Sequence, residues 1–184
     1  MNKFYVLDFK VFDTDYYAIK GEISDEEISD LSVDGVSLKN KDVSIILKKY
    51  KGNVRNMIGN LYSLPIISEL IADVLIKNCQ NEIELFDVKI DMKNNLKFYF
   101  LNILNIIDCI NLEKSVYTLF TPNALVFKTI DKLAFNTEKI DKDIFRIKGV
   151  RTKIIISEKL KQEIQALKFE EIRLTPIDEF VWKK

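Results

Sequence analysis

The sequence predicts an α+β fold with a mixed, mostly antiparallel sheet and two or three helices on one side of it. Short apolar segments rich in β-branched and aromatic residues indicate strands, and two segments have apolar residues at helical spacing. In addition, Ile66-Ile67-Ser68-Glu69 recurs as Ile155-Ile156-Ser157-Glu158, which predicts two similar strand-helix-strand units. A chain of 184 residues can bury about 70% of its unfolded surface, so we expect a single domain over residues 1–184.

Residues 1–62 are predicted to form a charged, strand-containing N-terminal part. Lys3–Phe12 is apolar and aromatic and predicts a strand, with Tyr16–Lys20 as its hairpin partner. Asp13-Thr14-Asp15 between them has the composition of a turn.

The charge changes sign along this N-terminal part. Residues 1–34 carry three basic and nine acidic side chains, a net of −6, and residues 39–62 carry six and one, a net of +5. The acidic side chains include a run without a basic residue, which consists of Glu22, Asp25, Glu26, Glu27, Asp30 and Asp34. Carboxylates can steer a protein towards a cation-rich partner, so this acidic run is the predicted partner-binding surface. The structural alternatives are a solvated face without a partner and a face covered by the basic stretch Lys39–Arg55.

Residues 63–184 contain both copies of the repeat. In each copy an apolar strand ends at a serine whose hydroxyl can cap the following helix, so Ser68 and Ser157 are predicted N-caps. The helices are predicted over Glu69–Asn78 and Glu158–Lys168. Each helix is followed by a predicted strand, Ile83–Ile90 in the first copy and Ile172–Ile177 in the second.

The segment between the copies predicts further strands. Lys97–Ile107 is rich in aromatic and β-branched residues, which indicates a long and mostly buried strand. Its polar positions Asn102, Asn105 and Asp108 are three apart, so a helix with one polar stripe is an open alternative. The other strands are predicted over Val116–Phe120, Ala124–Ile130 and Ile144–Lys148, with Gly149 at the turn into Ile154–Ile156.

Several classes of chemistry lack their usual residues. The chain has no histidine, its two cysteines are 30 positions apart, and its five glycines form no phosphate-binding loop. We therefore predict no catalytic residue, no metal site and no cofactor. The best local candidate for a cation or acid–base site is Asp108, Asn111, Glu113 and Ser115, with a polar turn as the alternative.

Charge, hydropathy and cysteine usage favour a cytoplasmic protein. Lys+Arg and Asp+Glu both number 28, so no net basic field attracts nucleic acid or an acidic membrane. Met1–Lys10 lacks the apolar run of a signal peptide, and Phe98–Ile107 is far shorter than a membrane span. Cys79 and Cys109 lie in apolar patterns, as reduced core thiols do.

Four segments together carry a resemblance to a known family. They are Leu64-Pro65-Ile66-Ile67-Ser68-Glu69, Phe98-Tyr99-Phe100-Leu101-Asn102-Ile103-Leu104-Asn105-Ile106-Ile107-Asp108, Ile144-Phe145-Arg146-Ile147-Lys148-Gly149 and Ile155-Ile156-Ser157-Glu158-Lys159-Leu160-Lys161. In order and spacing they resemble the eleventh numbered immunity-protein family of bacterial polymorphic toxin systems, over residues 64–180. The chain departs from the family pattern at Lys168-Phe169-Glu170-Glu171, where a glycine usually precedes the last strand.

The resemblance implies a protein encoded beside a secreted toxin, which protects the producing cell by binding the toxin domain. It implies no catalytic residues, because the family has none established. The predicted function is therefore an immunity protein that binds and neutralises a cognate secreted toxin domain without catalysis of its own. Two alternatives are a general protein-interaction module of α+β type and a carboxylate-dependent enzyme, which a metal- or nucleotide-dependent melting shift would favour.

Overall fold

The computed structural model describes residues 3–18, 20–25, 27–48, 52–91, 96–121 and 125–183. The strands are β1 (Phe4–Phe9), β2 (Tyr17–Ala18), β3 (Lys20–Ile23), β4 (Ile45–Lys48), β5 (Met57–Asn60), β6 (Ile66–Ser68), β7 (Ile83–Ile90), β8 (Phe98–Ile103), β9 (Ile106–Ile107), β10 (Val116–Leu119), β11 (Phe127–Lys132), β12 (Ile144–Ile147), β13 (Val150–Ser157), β14 (Ile172–Pro176) and β15 (Trp182–Lys183). The helices are α1 (Glu27–Val33), α2 (Glu69–Cys79) and α3 (Glu158–Ala166). The chain is therefore mostly β, within the α+β class that the sequence predicts.

The strands form three sheets rather than the one mixed sheet that was predicted. Sheet I has the order β2-β5-β6-β8-β7-β4-β3, sheet II has the order β9-β12-β13-β1-β14, and a three-stranded ribbon has the order β10-β11-β15. Most pairings are antiparallel, and three are parallel: β2 with β5, β4 with β7, and β9 with β12. Some neighbours in sequence lie in different sheets, such as β1 and β2 or β8 and β9, so the sequence alone could not assign the sheets.

Sheet I is nearly closed and barrel-like. Its two end strands, β2 and β3, are separated by a single residue in the chain, so the sheet has to curl until its ends meet. The hydroxyl of Tyr16 donates a hydrogen bond to the carbonyl of Lys48 at 2.8 Å and so links the two ends. The Tyr17 ring lies on Gly59, where a Cβ atom would be 2.5 Å from the ring, so β5 can approach β2 only with glycine there.

The two strand-helix-strand units are confirmed as β6-α2-β7 and β13-α3-β14. In each unit the two strands are separated in the sheet by one antiparallel strand, β8 in sheet I and β1 in sheet II. Both units are therefore split β-α-β units. Their registers correspond, because Ser68 is paired with Phe98 and its counterpart Ser157 with Phe4.

The duplication extends well beyond these units. Sheet II repeats the order of the first five strands of sheet I, and the strands before each unit correspond as well: β5 with β12 and β2 with β9. The inserted strands correspond in sequence too, since Lys3-Phe4-Tyr5 precedes a leucine at position 7 and Lys97-Phe98-Tyr99 precedes one at position 101. Each half of the chain thus supplies the inserted strand of the other half. The two copies have exchanged their first strands.

A central core joins the two halves. The buried faces of α2 and α3 contribute Ile71 and Leu75 from one helix and Leu160 and Ile164 from the other. The helices contact each other, and Leu7 of β1 and Leu101 of β8 lie in the same core. α2 packs against sheet I and α3 against sheet II, so the two helices belong to two sheets and not to the single sheet that was expected. Two further cores lie within sheet I and between sheet II and the ribbon.

Two carboxylates link the halves reciprocally across this centre. Glu82, just before β7, accepts hydrogen bonds from the backbone N–H groups of Asp143 and Ile144 at 3.1 and 3.0 Å. Glu171, its counterpart before β14, accepts bonds from the backbone and the side-chain amide of Asn56 at 2.9 and 3.1 Å. Each glutamate thus holds the first residues of a strand in the opposite sheet. These links fit one folded body, and the prediction of a single domain stays a prediction.

Three local expectations had different outcomes. Lys97–Ile107 is confirmed as extended and not helical, but the single long strand that was predicted is wrong, because the segment forms β8 in sheet I and β9 in sheet II. The hairpin of β1 with Tyr16–Lys20 is wrong: β1 pairs with β13 and β14, and β2 pairs with β5. Among the other predicted strands, β10, β11 and β12 are present, and Ala124, predicted to begin β11, lies outside the described residues.

The turn that lacks the family glycine has a specific backbone solution. Lys168, two residues beyond α3, has φ of +56°, in the left-handed region that a glycine usually occupies after a helix. A lysine in this region is strained by about 1 kcal/mol or more relative to glycine. The second unit therefore keeps the backbone geometry of a glycine cap, although a lysine stands at that position.

The two predicted serine caps differ. The Ser157 hydroxyl accepts a hydrogen bond from the backbone N–H of Leu160 at 3.4 Å and donates to Asp143, so this cap is confirmed. Ser68 occupies the same position before α2, but its oxygen accepts no hydrogen bond from a helix N–H group, and its hydroxyl donates to Asn56 Oδ1 at 2.9 Å. The expectation of a side-chain cap at Ser68 is therefore wrong.

We predict that Ser157→Ala lowers the free energy of unfolding by about 1 kcal/mol, because it leaves a helix N–H group without its acceptor. Amide hydrogen exchange at Leu160 should accelerate more than exchange elsewhere in α3. Ser68→Ala is the matched control, and exchange at Ile71, the position equivalent to Leu160, should not change selectively. Equal acceleration at both helix starts would contradict the difference between the caps.

Candidate functional site

The acidic run of the N-terminal part surrounds α1 and is largely paired with basic side chains. Asp25 lies 3.1 Å and Glu27 3.6 Å from the Lys41 ammonium group, Glu22 is paired with Lys48, and Asp34 with Arg151. The backbone N–H of Glu27 and the Lys41 side chain lower the pKa of Asp25. The basic stretch thus folds in part against the acidic one, which was the structural alternative.

The other two members of the run are Glu26 and Asp30. Glu26 lies outside the described residues, as do residues 49–51 of the basic stretch. Asp30 is exposed and lies at a cleft between the two sheets. That the acidic run binds a partner therefore stays a prediction. Asp30 connects the run with the cleft.

The cleft opens between sheets I and II and has a volume of about 470 Å³. Sheet I contributes Tyr17 and Gly59, sheet II contributes Arg146 and Lys153, and α1 contributes Asp30. The rest of its wall is mixed: Leu7, Val33, Met57, Leu64, Pro65 and Ile154 are apolar, and Asp8, Asn60, Ser63 and Thr152 are polar. The cleft therefore combines apolar side chains with charged and polar groups, as binding sites do.

Buried charged side chains in the described part of the chain are Glu84, Arg146 and Glu171. Both carboxylates are satisfied: Glu171 by Asn56, and Glu84 by the Ser37 hydroxyl, the Leu38 N–H and the Asn102 amide. Burial by itself raises the pKa of Glu84, but these hydrogen bonds outweigh it, and the pKa lies below its usual 4.5. Both glutamates therefore have ordinary structural roles.

Arg146 differs from both glutamates. It is 2% exposed, and its Nη1 donates to the carbonyl of Arg151 at 2.7 Å. Its Nε has no hydrogen-bond partner, and no carboxylate among the described residues lies within ion-pair distance. Burial lowers the pKa of Arg146 to about 10, so it remains protonated at neutral pH. A buried cation without a counter-charge thus lines the cleft.

Arg146 lies in one of the segments that resemble the family scaffold, and it was not among the site residues predicted from the sequence. The signal was present, because Arg146 is one of only four arginines and stands inside the apolar strand Ile144-Phe145-Arg146-Ile147. All four residues of that strand are buried. An arginine in a fully buried strand requires a compensating partner, and only the structure shows that none is supplied by the described chain.

The earlier candidate at residues 108–115 is a polar turn. Asn111 accepts a hydrogen bond from the Lys114 N–H, and Ser115 donates to the Asn111 carbonyl at 2.6 Å. Asp108 is paired with Lys148 at 2.9 Å. In the part of the chain that the structure describes, no cluster of three or more histidine, cysteine, aspartate or glutamate side chains has the geometry of a metal site.

The cysteine thiols are buried in the cores, as expected from their apolar patterns. Burial raises the pKa of Cys79 to about 12 and that of Cys109 to about 11. Both groups are thiols rather than reactive thiolates at neutral pH. Among the helices of the described residues, none is long and apolar enough to cross a membrane.

Comparison with known proteins gives the class. A family model described as "Immunity protein family (Imm11)" matches residues 22–179, which is more than four fifths of the chain. This match contains both split β-α-β units, the acidic run and Arg146. The chain belongs to the Imm11 immunity protein family, and the resemblance seen in the sequence is confirmed. A search of curated proteins finds no match.

We predict that Glu84→Gln lowers the free energy of unfolding at pH 7 by about 1–3 kcal/mol, because it weakens three hydrogen bonds to a buried carboxylate. The folded-state pKa lies below the usual value, so this stabilisation is present above about pH 4.3 and is lost as the pH falls through the folded-state pKa. The difference between wild type and variant, measured by urea unfolding, should be constant from pH 6 to 8 and shrink below about pH 4. A difference that grows in acid would contradict this assignment.

Proposed function

We propose that this protein is a cytoplasmic immunity protein that binds a cognate secreted toxin domain and neutralises it by direct contact, without catalysis of its own. The observation that carries the proposal is the match to the immunity protein family over residues 22–179. The family supports a protein partner. The identity of the toxin and the surface that binds it are parts of the proposal.

The proposed toxin-binding surface is the acidic run with the cleft beside it. Glu22, Asp25, Glu27 and Asp34 are each paired with a cation, and these are surface pairs in which the acids or their partners are partly exposed. Such pairs contribute little to stability, so their carboxylates can exchange Lys41 or Arg151 for a basic group of a partner at small cost. Asp30 extends this surface to the rim of the cleft.

The proposal is tested by survival. We expect that co-expression of this chain with the toxin domain encoded beside its gene restores growth, and that the two purified proteins form a stable complex. The control is the same toxin co-expressed with an unrelated protein of similar size. Growth arrest despite full expression of the folded chain would contradict the immunity function.

We predict that reversing Asp25, Glu26 and Glu27 to lysine slows association with the toxin about tenfold or more at low ionic strength, because it removes electrostatic steering. The salt dependence of the association rate should weaken as well. The melting temperature should fall modestly, since exposed pairs are worth about 0–1 kcal/mol and the start of α1 also loses the hydrogen bond from the Glu27 N–H to Asp25.

The matched control for this variant is the reversal of Glu113, Glu138 and Asp141 to lysine. These residues are exposed and lie in the second half of the chain, so the control makes an equal change in net charge away from α1. Its association rate should fall much less than that of the first variant. Equal rates for the two variants, measured by stopped flow, would show that net charge alone is sensed and that the acidic run is not the docking surface.

A further inference from the structure

Arg146 is a buried cation that the fold does not neutralise. One guanidinium N–H group donates to the Arg151 carbonyl at 2.7 Å, and its Nε is without a partner among the described residues. Taking a charged group out of water is unfavourable unless it is paired and hydrogen-bonded. An unpaired guanidinium at this position therefore indicates a ligand.

The fold itself does not require a charge at this position. Arg146 is paired with Ile106 of β9, and the corresponding position in the first half is Gly59, paired with Tyr17 of β2. One copy of the duplicated strand has no side chain at this point, and the other has the longest cation available. Both residues line the same cleft, and the Tyr17 ring lies on Gly59 where a side chain would stand.

The carboxylates that line the cleft, Asp8 and Asp30, form no ion pair with Arg146. Asp8 is engaged by Lys153 at 3.3 Å and Arg173 at 3.7 Å. Asp30 lies at the same cleft but not within ion-pair distance of Arg146. The charged groups lining the cleft are two acids and two bases, so their formal charges cancel.

Because the charges that line the cleft cancel, we infer that the ligand carries a single negative charge. A phosphate dianion would need more than one free cation, whereas a carboxylate carries the single negative charge that Arg146 lacks. The planar guanidinium fork matches a carboxylate in geometry. The apolar wall of the cleft, with Leu7, Met57 and Pro65, fits the aliphatic part of a side chain that carries such a group.

We propose that Arg146 is the anchor of a carboxylate-binding site, and that the occupant is an aspartate or glutamate side chain that the toxin inserts into the cleft between the sheets. The site rests on the structure alone, and only the assignment of its occupant to the toxin rests on the proposed function. The cleft then supplies the desolvated pocket of the interface, and the exposed acidic run supplies its rim.

The first experiment measures the site without any toxin. The probe is N-acetyl-glutamate N-methylamide, and its neutral isostere N-acetyl-glutamine N-methylamide is the control ligand. We expect a saturable shift of the Arg146 Nε–H signal in nitrogen-15 spectra of the full chain, with affinity for the glutamine isostere weaker by about tenfold or more. A shift that is absent, unsaturable or equal for the two ligands would overturn the site.

Two variants separate binding from folding. Arg146→Met removes the charge and should abolish binding of the glutamate probe while leaving the melting temperature of the free protein unchanged or raised, because it removes an unpaired buried cation. Arg146→Lys keeps the charge without the fork and should bind the probe more weakly than wild type. Lys128→Met removes an exposed cation of β11, which is not among the residues lining the cleft, as a matched control and should bind the probe as wild type does. A large fall in the melting temperature of Arg146→Met, with probe binding retained in Arg146→Lys at full strength, would assign Arg146 a structural role and overturn the proposal.

The last experiment identifies the occupant. We expect Arg146→Met to weaken the complex with the toxin by about 30-fold or more, measured as a dissociation constant, while Lys128→Met changes it much less. If Arg146→Met loses the probe but binds the toxin as wild type does, the toxin is not the occupant, and that part of the proposal is overturned. Protection by the wild-type chain in the survival test is independent of all these results, so the proposed function can fail or hold separately from the site.

Discussion

The exchange of first strands between the two halves is the constraint on which the rest of the structure depends. Without β1, the strands β13 and β14 of sheet II would have no neighbour between them, and without β8 the same would hold for β6 and β7 of sheet I. Each vacancy would leave two rows of backbone N–H and carbonyl groups unpaired in a buried sheet, which is strongly unfavourable. Neither half can therefore complete its sheet from its own residues, and the geometry of each is set by the other.

The exchange also determines what lies in the middle of the molecule. Because β1 and β8 cross between halves, their inward side chains Leu7 and Leu101 meet the buried faces of α2 and α3 in one shared core. The glutamates before β7 and β14 then fix the opposite sheet through backbone N–H groups, each at the first residues of β12 or beside β5. The cleft with Arg146 and Gly59 is lined by strands of both sheets, so the candidate site is a consequence of how two sheets are joined.

The sequence predicted what depends on local pattern and missed what depends on distant pairing. The α2 and α3 helices follow from apolar spacing within about ten residues, and the recurrence at Ser68 and Ser157 located both units. The recurrence of Lys3-Phe4-Tyr5 at Lys97 has an offset of 94 rather than 89, so a single gap-free offset does not reveal it. The partners of β1 lie some 150 positions away in the chain, and no local rule selects them over a nearby hairpin. The candidate cleft was out of reach for the same reason, since its lining comes from β1, β2, β5, β12, β13 and α1.

Differences between the two halves are more informative about function than their shared features. Positions that agree, such as Ile67 and Ile156 or Ile71 and Leu160, are fully buried and are explained by packing alone. The halves differ in what is inserted between corresponding strands: β3, α1 and β4 in the first half, and β10 and β11 in the second. They differ again at Gly59 and Arg146. The acidic helix α1 from one insertion and the unpaired guanidinium from the other half meet at one cleft. A repeated scaffold whose core positions agree and whose halves differ at this cleft has the arrangement expected when packing constrains the core and a partner constrains the cleft.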